Sequence, residues 1–331
     1  MQKAKMQNYS RHIASIGALL AGCVACSVAA QSYPTKTVRI TSAYASGTGA
    51  DLMTRLIAEK LSRWWGQGVV VEARPGGNGV PAIEAVKKST PDGHDILVAG
   101  GGHLVISPIL FRDLPYDTER DFAPVAALLQ APSMVAVSAN GPYNSLSDII
   151  NAAKAKPGGV TFATLYIGST QDIGGTMVEL ASKTQMLHVA FKENSQIFAA
   201  MINGDVGWTL TTIGSGQAFY KAGRIKYLAH TNKTPLAAFP KVPTMEEAGL
   251  SGMDFNVWAG FVVPRVTPTD RVAFVSRDIN RAMAEADFQE RAANLGVVSE
   301  VSTPASFGAL IRSDIKVYAD VIKRGNIKVE Q

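Results

Sequence analysis

The sequence predicts an α/β fold in two lobes, on three observations. Short β-branched runs alternate with amphipathic helical stripes along most of the chain, the pattern of a parallel sheet covered on both faces. A strand, a turn of Gly, Ser and Thr, and a helix follow one another near residue 47 and again near residue 168. The 331 residues, 47% of them hydrophobic, suffice for two domains with buried cores.

Residues 37–41 read as a buried strand running into Ser42-Ala43-Tyr44-Ala45-Ser46-Gly47-Thr48-Gly49-Ala50-Asp51. Leu52, Met53, Leu56, Ile57 and Leu61 then make a helical stripe. The first amides of such a helix lack partners within it and favour an anion. Gly47 and Gly49 allow close approach, and Ser46 and Thr48 add hydroxyl donors, so the turn reads as a carboxylate cradle. A plain capped turn with Asp51 near the helix start is the competing reading.

A second strand over 69–72, a Gly-rich turn at 74–79, a helix from Pro81 to Lys88 and a third strand over 95–99 follow. Gly100 to His103 then read as an open loop. His103 stands at a strand end, where open α/β sheets bind ligands; it suits either a hydrogen bond to a ligand or a structural role. Residues 122–137, broken by Pro124 and Pro132, cross into the second lobe. Ser145 caps a helix with Asp148 three residues on. A strand at 160–164, a loop through Gly168, Ser169, Thr170, Gln171 and Asp172, and a helix over 173–183 repeat the opening device. Further strands are expected at 187–191, 206–212 and 224–230, with helices over 196–203 and after Gly214. Residues 255–263 return, and helices over 272–286 and 304–324 pack on the first lobe. Lobe one is thus 33–134 plus 260–331, and lobe two 135–259. Tyr44 and Trp258 suit either pocket walls or core.

Residues 1–30 resemble an export leader, with Lys3, Lys5 and Arg11 before an apolar stretch. Cleavage after Ala30 gives a soluble product; Leu20-Ala21-Gly22-Cys23 has the form of a lipobox, which would leave Cys23 lipidated. Either way the folded part is exported. Both cysteines, Cys23 and Cys26, precede the fold, so no disulfide or thiol nucleophile is expected in it. Three charges of the net +5 belong to the leader, and no basic run argues for nucleic acid. There is no G-x-S-x-G elbow, no H-E-x-x-H and no P-loop, and the five His are scattered. No metal or cofactor is expected. Gly77-Asn78-Gly79-Val80-Pro81-Ala82 fits a dinucleotide fingerprint, but Arg74-Pro75 separates it from its strand, and a Gly-rich turn is the better reading.

The chain resembles the Bug family, periplasmic solute-binding proteins of tripartite tricarboxylate transporters. The marks are Val70-Val71-Glu72-Ala73-Arg74-Pro75-Gly76-Gly77-Asn78, Pro91-Asp92-Gly93-His94, Leu114-Pro115-Tyr116-Asp117, Asp121-Phe122-Ala123-Pro124-Val125, Lys221-Ala222-Gly223, Val242-Pro243-Thr244-Met245-Glu246-Glu247-Ala248-Gly249 and Trp258-Ala259-Gly260, in that order. The resemblance implies a two-lobed periplasmic binding protein fold, type II-like, each lobe a mostly parallel sheet flanked by helices. It implies a monomer that closes on a carboxylate held by Ser46, Gly47, Thr48 and Gly49 and by Gly168, Ser169, Thr170 and Gln171, and delivers it to membrane transporter subunits. Tyr44, Asp51, Gly102, His103, Asp172, Thr211 and Thr212 complete the expected site. Asp172 stands where relatives often have His, and Thr211-Thr212 where many have Asp-Asn, so the expected ligand lacks an α-amino group and is a di- or aromatic carboxylate. Two other classes share these features: an exported enzyme using His103 with Asp172, and a sensor subunit.

Overall fold

Among the described residues nine strands form one sheet, in the order Val69–Ala73, Val38–Ser42, Asp95–Gly100, Asn256–Pro264, Phe122–Ser138, Trp208–Thr212, Thr161–Thr164 and Leu187–Ala190, with Ile225–His230 paired to Phe122–Ser138 off this path. The computed structural model describes residues 33–165, 168–236, 238–253 and 255–327, so the expected leader lies outside the described residues. All elements below belong to the unit Lys36–Gln331.

β1 (Val38–Ser42) enters α1 (Gly49–Trp65), which buries Met53, Ile57 and Leu61 completely. β2 (Val69–Ala73), α2 (Val80–Lys87) and β3 (Asp95–Gly100) follow, with β2 and β3 parallel to β1 on either side. The Gly77–Gly79 stretch between β2 and α2 is a single 3-10 turn. The expected open loop after β3 is instead helical. A π turn over Gly102–Ile106 runs directly into α3 (Ser107–Leu110). Burial decides this against the glycines' preference: Leu104, Val105 and Ile106 fill the core, a Cβ on Gly100 would overlap Tyr44 and the Trp258 carbonyl, and Gly101 lies tight against the Trp258 ring.

After α4 (Thr118–Asp121), β4 runs unbroken from Phe122 to Ser138. It pairs antiparallel with β9 (Asn256–Pro264) as far as Pro132, then exchanges β9 for β7 and β8 from Ser133 onward. Two register shifts, after Pro124 and after Ala127, bend it, and the first sits where Pro lacks a ladder donor. Leu97 of β3 pairs with Val262 of β9, which completes the first half-sheet.

The second half-sheet holds β5 (Thr161–Thr164), β6 (Leu187–Ala190), β7 (Trp208–Thr212) and β8 (Ile225–His230). β5 is parallel to both β6 and β7, whereas β7 and β8 flank β4 antiparallel. Each half therefore keeps a parallel part, and the antiparallel pairs arise where β4 and β9 carry the chain out and back. Around this sheet lie α5 (Leu146–Ala155), α6 (Thr170–Ser182), α7 (Asn194–Asn203) and α8 (Ile213–Lys221). α9 (Thr269–Met283), α10 (Ala286–Asn294) and α11 (Pro304–Arg324) follow β9. α10 was not anticipated; it is tied to α1 where Lys60 Nζ meets Asp287 Oδ2 at 2.6 Å.

Ser145 caps α5 as its sequence predicts: its hydroxyl accepts from Asp148 N–H, whose carboxylate accepts from Ser145 N–H at 2.9 Å. Ser145→Ala is expected to cost about 1 kcal/mol in urea denaturation, the usual worth of such a cap. Among the described residues no helix is long and apolar enough to cross a membrane.

Candidate functional site

Both predicted cradles begin helices, and both are built to one plan. Gly47 adopts φ +83° and Gly168 φ +82°, a region that L side chains avoid. The next residue caps the helix: Thr48 at φ −68°, ψ 160° and Ser169 at φ −67°, ψ 159°. Each hydroxyl accepts from the amide three residues on, Asp51 at 3.4 Å and Asp172 at 3.1 Å. Each aspartate in turn accepts from the glycine amide, Gly47 and Gly168, at 2.9 Å. The ladders start with Leu52 N–H to Thr48 O and Ile173 N–H to Ser169 O. The amides of Gly49 and Ala50, and of Thr170 and Gln171, therefore head their helices with no acceptor inside them. They are the donors an anion would meet. The second helix starts at Thr170 rather than Ile173 because Ser169 supplies the cap within what reads as loop.

The aspartates, expected beside the ligand, instead point into their own turns. Asp51 Oδ2 also accepts from Arg55 Nε at 2.9 Å, while the buried Oδ1 has no hydrogen-bond partner. Asp172 is bound on both oxygens: Oδ2 by Gly168 and Oδ1 by His188 Nδ1 at 2.8 Å. An unbraced carboxylate among the helix-end donors would compete with an anionic ligand; these are held behind them.

Two contacts tie the second cradle to the segment after β3. A Cβ on Gly102 would lie 3.9 Å from Thr170 Oγ1, and Gly168 packs directly against the Leu110 side chain. His103 joins the same neighbourhood from the other side. Its ring meets Tyr44 edge to face at 5.2 Å, and Nδ1 accepts from Gly100 N–H at 3.3 Å. Burial pushes the His103 pKa down to about 4, so it is a neutral hydrogen-bonding group near pH 7. Tyr44, Gly102, His103 and Thr170 are thus brought close, whereas Ser46, Gly47 and Thr48 are exposed.

Gln171, Thr211 and Thr212 hold structure. Gln171 Oε1 accepts from Leu165 N–H at 3.0 Å, and Nε2 donates to Leu210 O at 2.8 Å, stitching the second turn to β7. Thr211 is buried, and Thr212 caps α8 by accepting from Ser215 N–H at 3.3 Å. Trp258 is core: 2% exposed, with Nε1 donating to Asp314 at 2.6 Å. Among the described residues no cluster of three or more His, Cys, Asp or Glu has a metal-site arrangement.

His188 is the residue that sequence reasoning missed. It lies on β6, sixteen positions from Asp172. Its one sequence signal is a polar stripe, Asp172, Thr176 and Glu179 on α6 with Lys183 at its C-cap, on the side that shares a cavity with it. Nε2 bonds Glu179 Oε2 at 2.8 Å, so the ring bridges two carboxylates. Burial alone would lower its pKa, but the bonds to Asp172 and Glu179 outweigh this and push it up to about 9. Folding therefore favours the imidazolium. Its stabilisation is complete below the unfolded pKa of about 6.5 and is lost as pH rises through about 9. The stability gap between wild type and His188→Gln in urea should shrink by about 2 kcal/mol between pH 6 and pH 10.

Comparison with known proteins bears on this geometry. A family model described as tripartite tricarboxylate transporter family receptor matches residues 53–327. A UPF0065 protein of Bordetella bronchiseptica is 30% identical over 301 residues, 90% of this chain and 88% of the relative. MatC from Rhodopseudomonas palustris, solved with bound malate, superposes with a TM-score of 0.74 at 26% identity, covering 88% of this chain and all of MatC. A second R. palustris protein, solved with adipate, superposes with a TM-score of 0.79 at 24% identity, covering 89% of this chain and 99% of its own.

Proposed function

This chain belongs to the tripartite tricarboxylate transporter receptor family, and from that premise we propose that it captures a small di- or aromatic carboxylate between two lobes and hands it to a membrane transporter. Receptors of this class bind solutes and do no chemistry on them. The lobes are residues 33–134 with 260–331, and 135–259. The observation that carries the reading is the duplicated turn, two helix starts whose cap angles agree to within 1° and whose leading amides lack intrahelical acceptors.

Each helix end contributes about 0.3–1 kcal/mol to holding an anion, and each charge-assisted hydrogen bond about 1.5–3 kcal/mol. Ser46 and Thr170 add hydroxyl donors, whereas the Thr48 hydroxyl donates to Ala45 O at 2.9 Å and contributes through its place in the turn; Tyr44, Gly102 and His103 line the approach. Contacts from both lobes exist together only in the shut form, so ligand shifts the protein toward it, and that form is what transporter subunits recognise. Neutral donors also permit release, since no buried ion pair must be broken.

Thr211 and Thr212 offer no carboxylate for a ligand ammonium. MatC with malate and the R. palustris protein with adipate take dicarboxylates that carry no amino group. Isothermal titration against adipate, malate, benzoate, aspartate and glutamate tests the reading. Binding of one of the first three with the ligand recovered unchanged is expected; tight aspartate or glutamate binding overturns the ligand class. The receptor acts as an exported monomer, and the mass of the mature N-terminus distinguishes cleavage after Ala30 from lipidation of Cys23.

A further inference from the structure

The two turns differ in what grips their aspartates. Asp51 is held by Arg55, a cation at every accessible pH, on the exposed face of α1. Asp172 is held by His188. We propose that His188, as an imidazolium, is the positioning residue of the second cradle, fixing the Gly168 turn through Asp172 and so setting how well that cradle grips an anion. This rests on the carboxylate-capture reading for its function, but not for its geometry.

The path is short and continuous. His188 Nδ1 lies 2.8 Å from Asp172 Oδ1, and Asp172 Oδ2 accepts the Gly168 amide at 2.9 Å. Nε2 is anchored on Glu179 at 2.8 Å, whose other oxygen accepts the Met186 amide from the loop before β6. The ring face rests edge-on against Phe162 of β5 at 5.1 Å. Every connection is thus fixed at both ends, and only the proton on the imidazole is variable. His188 also borders a cavity of about 670 Å³ behind the turn, shared with Asp172, Glu179, Lys183, Arg324 and Ile327. The charged groups facing it are therefore Asp172 and Glu179 from α6, Lys183 at the C-cap of α6 and, from the end of α11, Arg324, which is paired with Asp320 at 3.1 Å. Through this cavity the partly exposed imidazole exchanges protons with solvent. Deprotonation converts a clamp between two carboxylates into a single donor, and one of the two bonds must lapse.

The test needs no ligand. Protein labelled with [13Cα]glycine reports Gly168 and Gly47 in one spectrum, through carbons that do not exchange with water. The Gly168 signal is expected to move with a midpoint near 9, in step with the His188 ring, while Gly47 stays flat. His188→Arg, which has the cavity to accommodate its length, should hold Gly168 at its wild-type neutral-pH position throughout. His188→Gln should displace it at every pH, with folding verified by circular dichroism. A wild-type Gly168 signal that ignores pH from 7 to 10.5, or one left in place by His188→Gln, overturns the proposal. Adipate titration of the same samples judges the capture reading separately.

Discussion

Asp172→Ala is expected to destabilise the protein by about 3 kcal/mol and to abolish ligand capture, while Asp51→Ala costs roughly 2 kcal/mol less. The two aspartates occupy equivalent places and are both buried, so the surroundings of their partners decide the difference. Asp172 bridges a buried glycine amide and an imidazolium only 28% exposed; removing it strands a donor in the interior and leaves His188 with one carboxylate. Asp51 faces an exposed Gly47 and an Arg55 side chain that is 45% exposed, both of which return to water when the carboxylate goes. Its second oxygen is already buried without a partner, so its loss relieves a desolvation cost. Asp172→Asn keeps an acceptor for Gly168 and should recover part of the loss. Urea denaturation of the four proteins at pH 7, with isothermal titration of the same samples, checks the order. Equal costs for the two alanine variants would mean that the turns are not distinguished by their surroundings.

Gly175→Val is expected to cost about 3 kcal/mol or more, measured as a fall in the urea midpoint. A Cβ at this position of α6 would overlap the Phe162 ring, which is fully buried. Phe162 has nowhere to retreat, since Trp208 packs tilted against it at 4.3 Å and His188 edge-on at 5.1 Å. Gly174 meets Leu210 and Phe255 in the same way. The pair lets α6 lie close on the sheet, which in turn sets where its N-terminal amides point. Gly175→Ala should already destabilise despite alanine's better helix propensity, because the obstacle is a packed ring rather than a flexible tip.

Much of this was legible in the chain. Alternating strands and helical stripes placed the elements to within a few residues, because burial periodicity and local propensity agree there. The Gly47 and Gly168 turns, and Ser145 with its capping box, were legible for the same reason, since their chemistry is local. Reading failed where tertiary packing overrode local preference. Gly100 to His103 read as loop, but Trp258, more than 150 positions later, crowds Gly100 with its carbonyl and Gly101 with its ring, and Leu104 to Ile106 then continue as helix. α10 was missed because only Phe288 and Ala292 of its nine residues are buried, too few to make a stripe. His188 was missed because nothing within its own strand marks it; its meaning comes from α6, across the helix–sheet interface. That both aspartates bond into their own turns was not legible, because residue type alone does not say which way a carboxylate turns.

The pairing of β3 with β9 has a consequence for how the chain matures. Residues 133–230 form a contiguous stretch whose strands find partners among themselves. The strands β1–β3 also pair with one another, but the outer edge of β3 is closed only by β9, so Leu97 must await Val262. A nascent chain emerging N-terminus first therefore presents an unzipped β-edge for as long as the intervening segment takes to appear, which makes assembly slow and that edge the point where two immature copies would adhere.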